Sequence, residues 1–403
     1  MNADEAKSVG GLLRKIRLKR GLTLEVVAGL AGITAGFLSR VERGEAPLER
    51  HSHWKGVAAA LGVPLWDLLR LELPAPGNGH TDSATVAVQD ALDAAKAGYP
   101  GGELLPVSVL QQRVARAHKL DRQCRFREVG RVLPELIRDL HTALAAGRDL
   151  GTLLPLGVLL HVQLTRNWLA YAVAHIDVRR QAMFLAQDLA REHNEPTSLA
   201  SAAFGLTQTL TIGGSFALAQ TVLDKTTLPP VTRETAGLVC ATLAAPRAML
   251  LAVRGGDPTS PLGEATEIAN RFGELGEADP LGFGYGPTFV GFRWIKARLE
   301  LGEVDDAVQS LRTVQPERDP FRDSQAFYWR ITGRALALAG GSVDEALGAY
   351  LRAEALLPVK LYRDPLHREM LRELLSRAPD NEQLQQLANR AGLVSRNGDS
   401  FTR

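Results

Sequence analysis

The chain contains 403 residues, 45% of them hydrophobic, which is enough for a small domain and a large one with buried cores. Its formal net charge of +2 gives no general sign of a nucleic-acid partner. Residues 1–72 carry eleven Lys and Arg against eight Asp and Glu, so the weak cationic surplus lies at the N-terminus.

Two cysteines, Cys124 and Cys240, exclude a disulfide framework and are not at Cys-x-x-Cys spacing. They predict free, buried thiols in a reducing compartment. The N-terminal segment lacks the apolar run of a signal peptide, and the apolar stretch "LVCATLAAPRAMLLAV" is interrupted by Pro246 and Arg247. The sequence therefore predicts a cytoplasmic protein with no membrane partner.

The N-terminal part, from Ser8 to Leu71, reads as short helices broken by Gly and Pro. Ser8 is placed to cap a first helix that Gly21 ends. Thr23 is placed to cap a second helix, in which the spacing predicts that Val26, Val27 and Leu30 face inward. Gly32 then provides the turn.

The next short helix has its apolar positions on one side and small or cationic residues on the other. Thr34 caps it, Leu38 and Val41 face the core, and Gly44 ends it. The outward positions are occupied by Ala35, Gly36, Ser39, Arg40 and Arg43. Two short helices joined by a Gly-containing turn suit insertion into the major groove of DNA.

Three segments in this order, "LLRKIRLKRGLTLE", "AGITAGFLSRVERG" and "VAAALGVPLWDLL", resemble the Xre, or Cro-repressor-like, helix-turn-helix family. The resemblance implies a five-helix DNA-binding domain over residues 1–72, whose third helix, about Thr34 to Arg43, reads DNA. The residues it implies in DNA binding are Thr23, Thr34, Ala35, Gly36, Phe37, Ser39, Arg40 and Arg43. The alternative is a small helical bundle that contacts proteins.

The reading helix departs from the family pattern in ways that affect base recognition. Leu24 stands where many members have Gln, and no Gln or Asn is available for a bidentate contact with adenine. Ala35 and Phe37 remain for thymine methyl groups, and Arg40 for guanine or a phosphate. We therefore expect DNA shape and phosphate contacts to supply more of the specificity.

Because such a module covers few base pairs, the sequence predicts a homodimer. Its operator on double-stranded DNA would be an inverted repeat with half-sites about 34 Å apart.

Residues 73–85 are rich in Gly, Pro and small polar residues and predict a flexible linker. Residues 86–395 show successive helical periods without strand signals, and residues 396–403 are predicted to be a disordered tail. "LELGEVDDAVQSL" is repeated 39 residues later in "LALAGGSVDEALGAY", which aligns Gly302 with Gly341 and Ala307 with Ala346. "GGSFALAQTVL" (213–223) repeats the phrase again. The pattern resembles degenerate tetratricopeptide repeats and predicts an all-α protein with a helix-turn-helix domain followed by an α-solenoid.

Several first helices of these hairpins carry polar and aromatic residues in apolar surroundings, which indicates a ligand-binding face. The predicted ligand-binding residues are Asn167, Gln208, Arg247, Tyr285, Thr288, Phe292, Arg293 and Trp329. A lone Trp or Phe in such a hairpin usually lies in the core, and a lone Arg is usually solvated. The recurrence of these residues across five successive hairpins is what favours a ligand-binding groove. The segment "GFGYGPT" (282–288) is either a long inter-hairpin loop or the mobile lip of a ligand site.

The combination resembles regulators that sense peptide pheromones in quorum sensing and join a helix-turn-helix to tetratricopeptide repeats. It implies a transcriptional regulator whose repeat domain dimerises and binds a signal peptide or a small molecule. The alternative is a repeat scaffold that acts through a partner regulator. His51 and His53 lack a third ligand at metal spacing, and no nucleophile elbow or phosphate-binding loop occurs. We therefore expect no enzyme activity, no metal and no cofactor.

Overall fold

The computed structural model describes residues 3–46, 48, 51–63, 68 and 79–393, and over these residues every regular element is a helix. The predicted all-α class is therefore confirmed. The described residues fall into two compact units. Unit 1 draws on 1–76, 336–351 and 361–403, and unit 2 on 77–335 and 352–360.

The N-terminal part of unit 1 contains four short helices around one apolar core. They are α1 (Ala3–Lys19), α2 (Leu24–Ala31), α3 (Ala35–Glu42) and α4 (His51–Ala60). Leu13, Val27, Leu38 and Trp54 are almost fully buried in this core. The fifth helix expected from the family resemblance lies outside the described residues, except for Leu68, which is buried.

The inner face of α2 differs from the sequence prediction. Val27 is buried, but Val26 is 46% and Leu30 is 67% exposed, and the core contacts come from Ala28 and Ala31. Positions 27, 28 and 31 share one stripe of an α-helix, which leaves 26 and 30 on the adjacent side. Alanines form most of the buried face of α2. For this reason, the positions of the larger side chains Val26 and Leu30 led to the wrong prediction of its inner face.

The C-terminal helices belong to the same unit as the N-terminal helices. They include α20 (Pro358–Arg363) in part, α21 (Pro365–Arg377) and α22 (Glu382–Arg390). Helix α21 packs on α4, and Leu366 lies against the N-terminal core. A helix from the far end of the chain therefore contributes to the packing of the N-terminal helices.

Unit 2 is built from successive helices that pack mostly against their neighbours in sequence. In chain order these are α5 (Gly79–Lys96), α6 (Val107–Arg122), α7 (Phe126–Ala145), α8 (Leu150–Leu159), α9 (Arg166–Tyr171), α10 (Ile176–His193), α11 (Pro196–Ile212), α12 (Phe216–Asp224), α13 (Ala236–Thr242), α14 (Ala248–Val253), α15 (Thr259–Phe272), α16 (Pro287–Leu301), α17 (Val304–Leu311), α18 (Arg322–Leu338) and α19 (Val343–Leu356). Helix α18 ends in unit 1, and α19 begins in unit 1 and ends in unit 2.

Helix α5 begins inside the predicted linker. Residues 79–85 are helical, while 73–78 and the predicted tail 396–403 lie outside the described residues. Asp82 in the first turn favours the helix through its charge at the positive end of the helix dipole. Because residues 79–85 are mostly small and polar, the sequence prediction assigned them to the linker rather than to the helix.

The repeated phrase marks true hairpin turns. Gly302 ends α16 with a left-handed backbone (φ 86°), and Ala307 is fully buried in the next helix. In the second copy Ala346 is also fully buried, but the left-handed residue is Gly340 (φ 71°) rather than the aligned Gly341. That turn is therefore one residue longer than the alignment implied.

Two helices of unit 2 contain a wider π-helical turn. Leu160–Thr165 joins α8 to α9, and Leu243–Arg247 joins α13 to α14. Pro246 lies in the second turn, where the wider coil accommodates the missing N–H and the ring.

Residues Ala236–Val253 are apolar and long enough to cross a membrane, but 83% of that stretch is buried within the fold, as in a core helix.

Candidate DNA-binding surface and the Arg166–Arg293 cluster

The turn between α2 and α3 is formed by local caps. The Thr23 hydroxyl accepts a hydrogen bond from the Val26 N–H, and the Thr34 hydroxyl accepts one from the Phe37 N–H, both at 3.2 Å. Gly32 ends α2 with a left-handed backbone (φ 67°). The two helix axes meet at 108°, within the range of a helix-turn-helix.

Helix α3 is held from behind by a buried ion pair. The Arg17 guanidinium of α1 donates two hydrogen bonds of 2.7 Å to the Glu42 carboxylate, and a third of 3.0 Å to the Leu22 carbonyl. The Glu42 hydrogen bonds raise the pKa of Arg17. The sequence did not predict this pair, because the two residues are 25 positions apart.

The two arginines on the outer side of α3 differ in whether they form an ion pair. Arg40 is exposed, its guanidinium lies 5.8 Å from the Phe37 ring centroid, and it forms no ion pair within the described part of the chain. Arg43 is also exposed but donates to the Glu45 carboxylate at 2.7 Å and to the Ser39 hydroxyl at 2.5 Å. Of the two arginines, Arg40 is therefore the one that can extend away from the protein.

The remaining predicted residues line the start of this surface. Thr23, Thr34 and Gly36 are exposed, whereas Ala35 and Phe37 are half-buried and pack partly against the N-terminal core. The small side chains leave the backbone at the start of α3 open to close approach. Beyond the predicted set, α1 adds further exposed cations, and these are Arg14, Lys15 and Lys19.

In unit 2, several of the predicted ligand-binding residues lie around Arg166. Arg166 donates hydrogen bonds to the Val162 carbonyl (2.9 Å), to Gln208 Oε1 (2.7 Å) and to Asn167 Oδ1 (2.9 Å). Its guanidinium lies 5.1 Å from the Phe204 ring centroid. The π-helical turn Leu160–Thr165 immediately precedes it, and such turns are frequent at functional sites.

A second arginine, Arg293, lies close to the first among aromatic rings. Its guanidinium donates to the Tyr285 hydroxyl at 2.9 Å. It lies 4.7 Å from the Phe289 centroid and 5.0 Å from the Phe327 centroid. We call Arg166, Asn167, Gln208, Tyr285 and Arg293 the Arg166–Arg293 cluster.

Burial lowers the pKa of Arg166 to about 10, and the positive charge of Arg293 acts in the same direction. Arg166 is nevertheless only half-buried by exposed area. Solvent therefore reaches part of the Arg166 side chain.

An acidic side chain adjoins this cluster. Burial raises the pKa of Asp121 to about 7, Asp323 adds to the shift, and Arg122, Lys360 and the Asn167 hydrogen bond oppose it. Burial also lowers the pKa of Lys360. Asp121 is therefore substantially protonated near neutral pH, and it does not supply a full negative charge to the neighbouring arginines.

The other predicted ligand-binding residues form no hydrogen bond with this cluster that the structure describes. Phe292 is fully buried beside Tyr328 (5.1 Å between centroids), so the structure gives it a place in the core. Trp329 packs on the Arg352 guanidinium at 4.4 Å, and the buried Thr288 donates its N–H to Glu274. Arg247 is half-buried at the end of the second π-helical turn.

The segment "GFGYGPT" is a buried connection between hairpins. Phe283 and Tyr285 are each 7% exposed, and the Asp279 carboxylate accepts hydrogen bonds from the N–H groups of Leu281 (3.1 Å) and Gly284 (2.7 Å). The Gly282 carbonyl accepts a hydrogen bond from Arg122. Of the two alternatives, the structure favours the inter-hairpin loop, which presents the Tyr285 hydroxyl to Arg293.

Of the two cysteines, Cys240 is buried as predicted, whereas Cys124 is only half-buried. Burial raises the pKa of Cys124 and of Cys240 to about 12, and both are free thiols. His141 and His161 share a hydrogen bond of 2.9 Å between their Nε2 atoms, and burial lowers the pKa of both. Within the residues that the structure describes, no three His, Cys, Asp or Glu side chains are grouped to hold a metal ion.

Comparison with known proteins supports the N-terminal part of this description. Residues 8–71 match the family described as "Helix-turn-helix domain". No curated protein matches the chain in sequence. The crystal structure of Bacillus thuringiensis PlcR in complex with the peptide PapR7 and DNA is similar over 89% of this chain and 99% of that chain, with a TM-score of 0.33 and 13% identity. That similarity is too low to define the fold or the function of this chain, whereas the sequence match shows that it carries a helix-turn-helix domain.

Proposed function

We propose that the protein is a cytoplasmic, ligand-responsive transcriptional regulator. The observation that carries this proposal is the match of residues 8–71 to a helix-turn-helix domain, together with the 108° angle between α2 and α3. The outer side of α3 combines small residues with Arg40, which has no carboxylate partner in an ion pair among the described residues.

Helix α3 would enter the major groove with its N-terminal residues toward the bases. Thr34, Ala35 and Gly36 are small enough for close approach, and Arg40 would donate to guanine or to a phosphate. Thr23 and Thr34 mark helix starts, where backbone N–H groups and the helix dipole favour phosphate. Because the surface offers no Asn or Gln, phosphate contacts and DNA shape would contribute much of the affinity.

The active form would be a homodimer. A helix of eight residues covers few base pairs, so two copies on an inverted repeat, with centres about 34 Å apart, would supply the affinity of a regulator. Footprinting on a selected operator should give symmetric protection, and sedimentation of the complex should give two chains per site. Asymmetric protection by a single chain would contradict the dimer.

The Arg166–Arg293 cluster would bind the signal ligand, a peptide or a small molecule. Its two arginines, two side-chain amides and a tyrosine hydroxyl provide directional contacts beside aromatic rings, as small-molecule sites do. A ligand changes DNA binding only if it binds one state of the dimer more tightly than the other. A tenfold preference would shift that balance by about 1.4 kcal/mol.

The decisive experiment is selection of genomic DNA fragments by the purified full chain, followed by mobility-shift titration of the selected site. Between 50 and 200 mM salt, the logarithm of the binding constant should fall linearly, with a slope near −0.9 for each phosphate contacted. Failure to retain any fragment, or retention that does not respond to salt, would favour the alternative of a repeat scaffold acting through a partner regulator.

A further inference from the structure

The Arg166–Arg293 cluster contains two guanidinium groups that form no ion pair with a carboxylate of the described residues. All three acceptors of Arg166 are uncharged, namely the Val162 carbonyl, Gln208 and Asn167. Arg293 donates only to the Tyr285 hydroxyl, and its Nε is buried without a hydrogen-bond partner. No carboxylate among the described residues forms an ion pair with either arginine.

Two other buried arginines of this chain are paired with carboxylates. Arg17 lies on Glu42 at 2.7 Å in unit 1, and Arg334 lies on Glu300 at 2.9 Å in unit 2. Leaving two neighbouring, half-buried cations without a carboxylate partner costs desolvation and mutual repulsion. That cost is offset when an anion enters and accepts hydrogen bonds from both guanidinium groups.

The donors for such an anion are present. A guanidinium has five N–H groups, of which Arg166 uses three and Arg293 uses one in the hydrogen bonds described above. Phe204, Phe289 and Phe327 lie against the two guanidinium planes and provide apolar surface next to the charged one. The site therefore combines an anion-binding end with an aromatic wall.

We propose that the Arg166–Arg293 cluster binds the carboxylate of a ligand whose body is apolar or aromatic. The inference rests on the ligand-binding role proposed above and specifies the chemistry of its ligand. A singly charged group suits the site better than a phosphate dianion, because the Asp121 carboxyl already acts on the charge of Arg166. A peptide C-terminus and a small organic acid share this chemistry.

The test uses the full chain and matched probes that differ in charge alone. N-acetyl-phenylalanine and N-acetyl-phenylalanine amide would be titrated by calorimetry and by thermal denaturation, up to tens of millimolar. We expect the acid to bind at least tenfold more tightly than the amide. A free-acid tetrapeptide ending in Phe, 4-phenylbutyrate and inorganic phosphate then distinguish a peptide end, an organic acid and a general anion.

Substitution assigns the binding to the two arginines. Arg166→Gln and Arg293→Gln should each weaken binding of the acid about tenfold to a hundredfold, the effect of one charge-assisted hydrogen bond, without changing the affinity for the amide. The matched control is Arg254→Gln, since Arg254 is an exposed arginine of the same unit. Without probe, Arg166→Gln should melt no lower than the wild type, because it removes an unneutralised charge.

The proposal is wrong if the acid and the amide bind the wild type equally, if no acid binds at tens of millimolar, or if both arginine variants bind the acid as the wild type does. Tighter binding of phosphate than of every carboxylate would also overturn it. The acid–amide comparison on the wild type decides the matter even if a variant fails to fold. Mobility shift of the selected operator without any probe tests the DNA-binding proposal separately.

Discussion

The Arg17 guanidinium donates two parallel hydrogen bonds of 2.7 Å to the Glu42 carboxylate in the interior between α1 and α3. Their side chains are only 9% and 4% exposed. The pair joins the first helix to the last residue of the helix proposed to read DNA. The position of that helix therefore depends on a charge pair that water hardly reaches.

Glu42→Ala should lower the free energy of unfolding by about 3 kcal/mol, because it leaves the Arg17 charge buried and uncompensated. Urea denaturation, with hydrogen exchange of the α1 and α3 amides, measures the loss. The control is Glu45→Ala, which removes the exposed partner of Arg43 and should leave stability unchanged. Equal effects of the two substitutions would show that the buried pair does not stabilise the domain.

Alanine substitutions at two adjacent glycines of α1, Gly10 and Gly11, should have opposite effects on stability. A Cβ at Gly10 would lie 2.0 Å from the Val41 carbonyl oxygen, whereas a Cβ at Gly11 meets no atom within 4 Å. Gly10→Ala must separate α1 from α3 and should cost about 1–3 kcal/mol or more. Gly11→Ala should be neutral or stabilise by about 0.5–1 kcal/mol, since alanine favours the helix. Thermal denaturation measures the stability of both variants. A Gly10→Ala variant as stable as the wild type would contradict the close contact between α1 and α3 at this residue.

Features set by neighbouring residues could be predicted from the sequence. The hydroxyls of Thr23 and Thr34 each accept a hydrogen bond from the N–H group three residues later. Gly32 makes the turn directly after the last residue of α2. The fully buried Ala307 and Ala346 likewise follow their turn glycines at short range. Such interactions need no knowledge of the rest of the fold.

Features set by distant residues could not be predicted. The Arg17–Glu42 pair spans 25 positions and the Arg166–Gln208 hydrogen bond spans 42. Arg166 directly precedes the predicted Asn167 in sequence, but only the fold brings Gln208 and Arg293 beside it. Conversely, Phe292 was included for its aromatic ring, which cannot by itself distinguish a core position from a binding surface.

Arg40→Ala should weaken operator binding about tenfold or more, because Arg40 is exposed and has no carboxylate partner in an ion pair among the residues that the structure describes. If it contacts a phosphate, the salt slope should also fall by about one unit. Mobility-shift titration at several salt concentrations measures both quantities.

Arg43→Ala is the comparison within the same helix. Its guanidinium is already engaged by Glu45 and Ser39, so its loss should weaken binding less than the loss of Arg40. Arg312→Ala changes an exposed arginine of unit 2 and should leave binding unaltered. A larger effect at Arg43 than at Arg40 would mean that the Glu45 contact is released on DNA.

Asp121→Asn should change how stability depends on pH. Burial raises the folded-state pKa of Asp121 to about 7 from an ordinary 3.8, so the folded protein holds this proton more tightly than the unfolded chain. The stability that Asp121 contributes is therefore fully present below pH 4 and is lost as the pH rises to about 7. Asn cannot ionise and avoids this loss.

The wild-type curve alone would conceal the effect. Burial lowers the pKa of His118 and His141 to about 4, so their contributions to stability increase between about pH 4 and 6.5, opposite in sign to that of Asp121. These contributions cancel in the difference between the variant and the wild type. Urea denaturation of both proteins from pH 5 to 7.5 should show the variant gaining roughly 2 kcal/mol relative to the wild type. A difference that stays constant, or that falls with pH, would show that Asp121 ionises freely and that the cations around it, Arg122 and Lys360, already balance its charge.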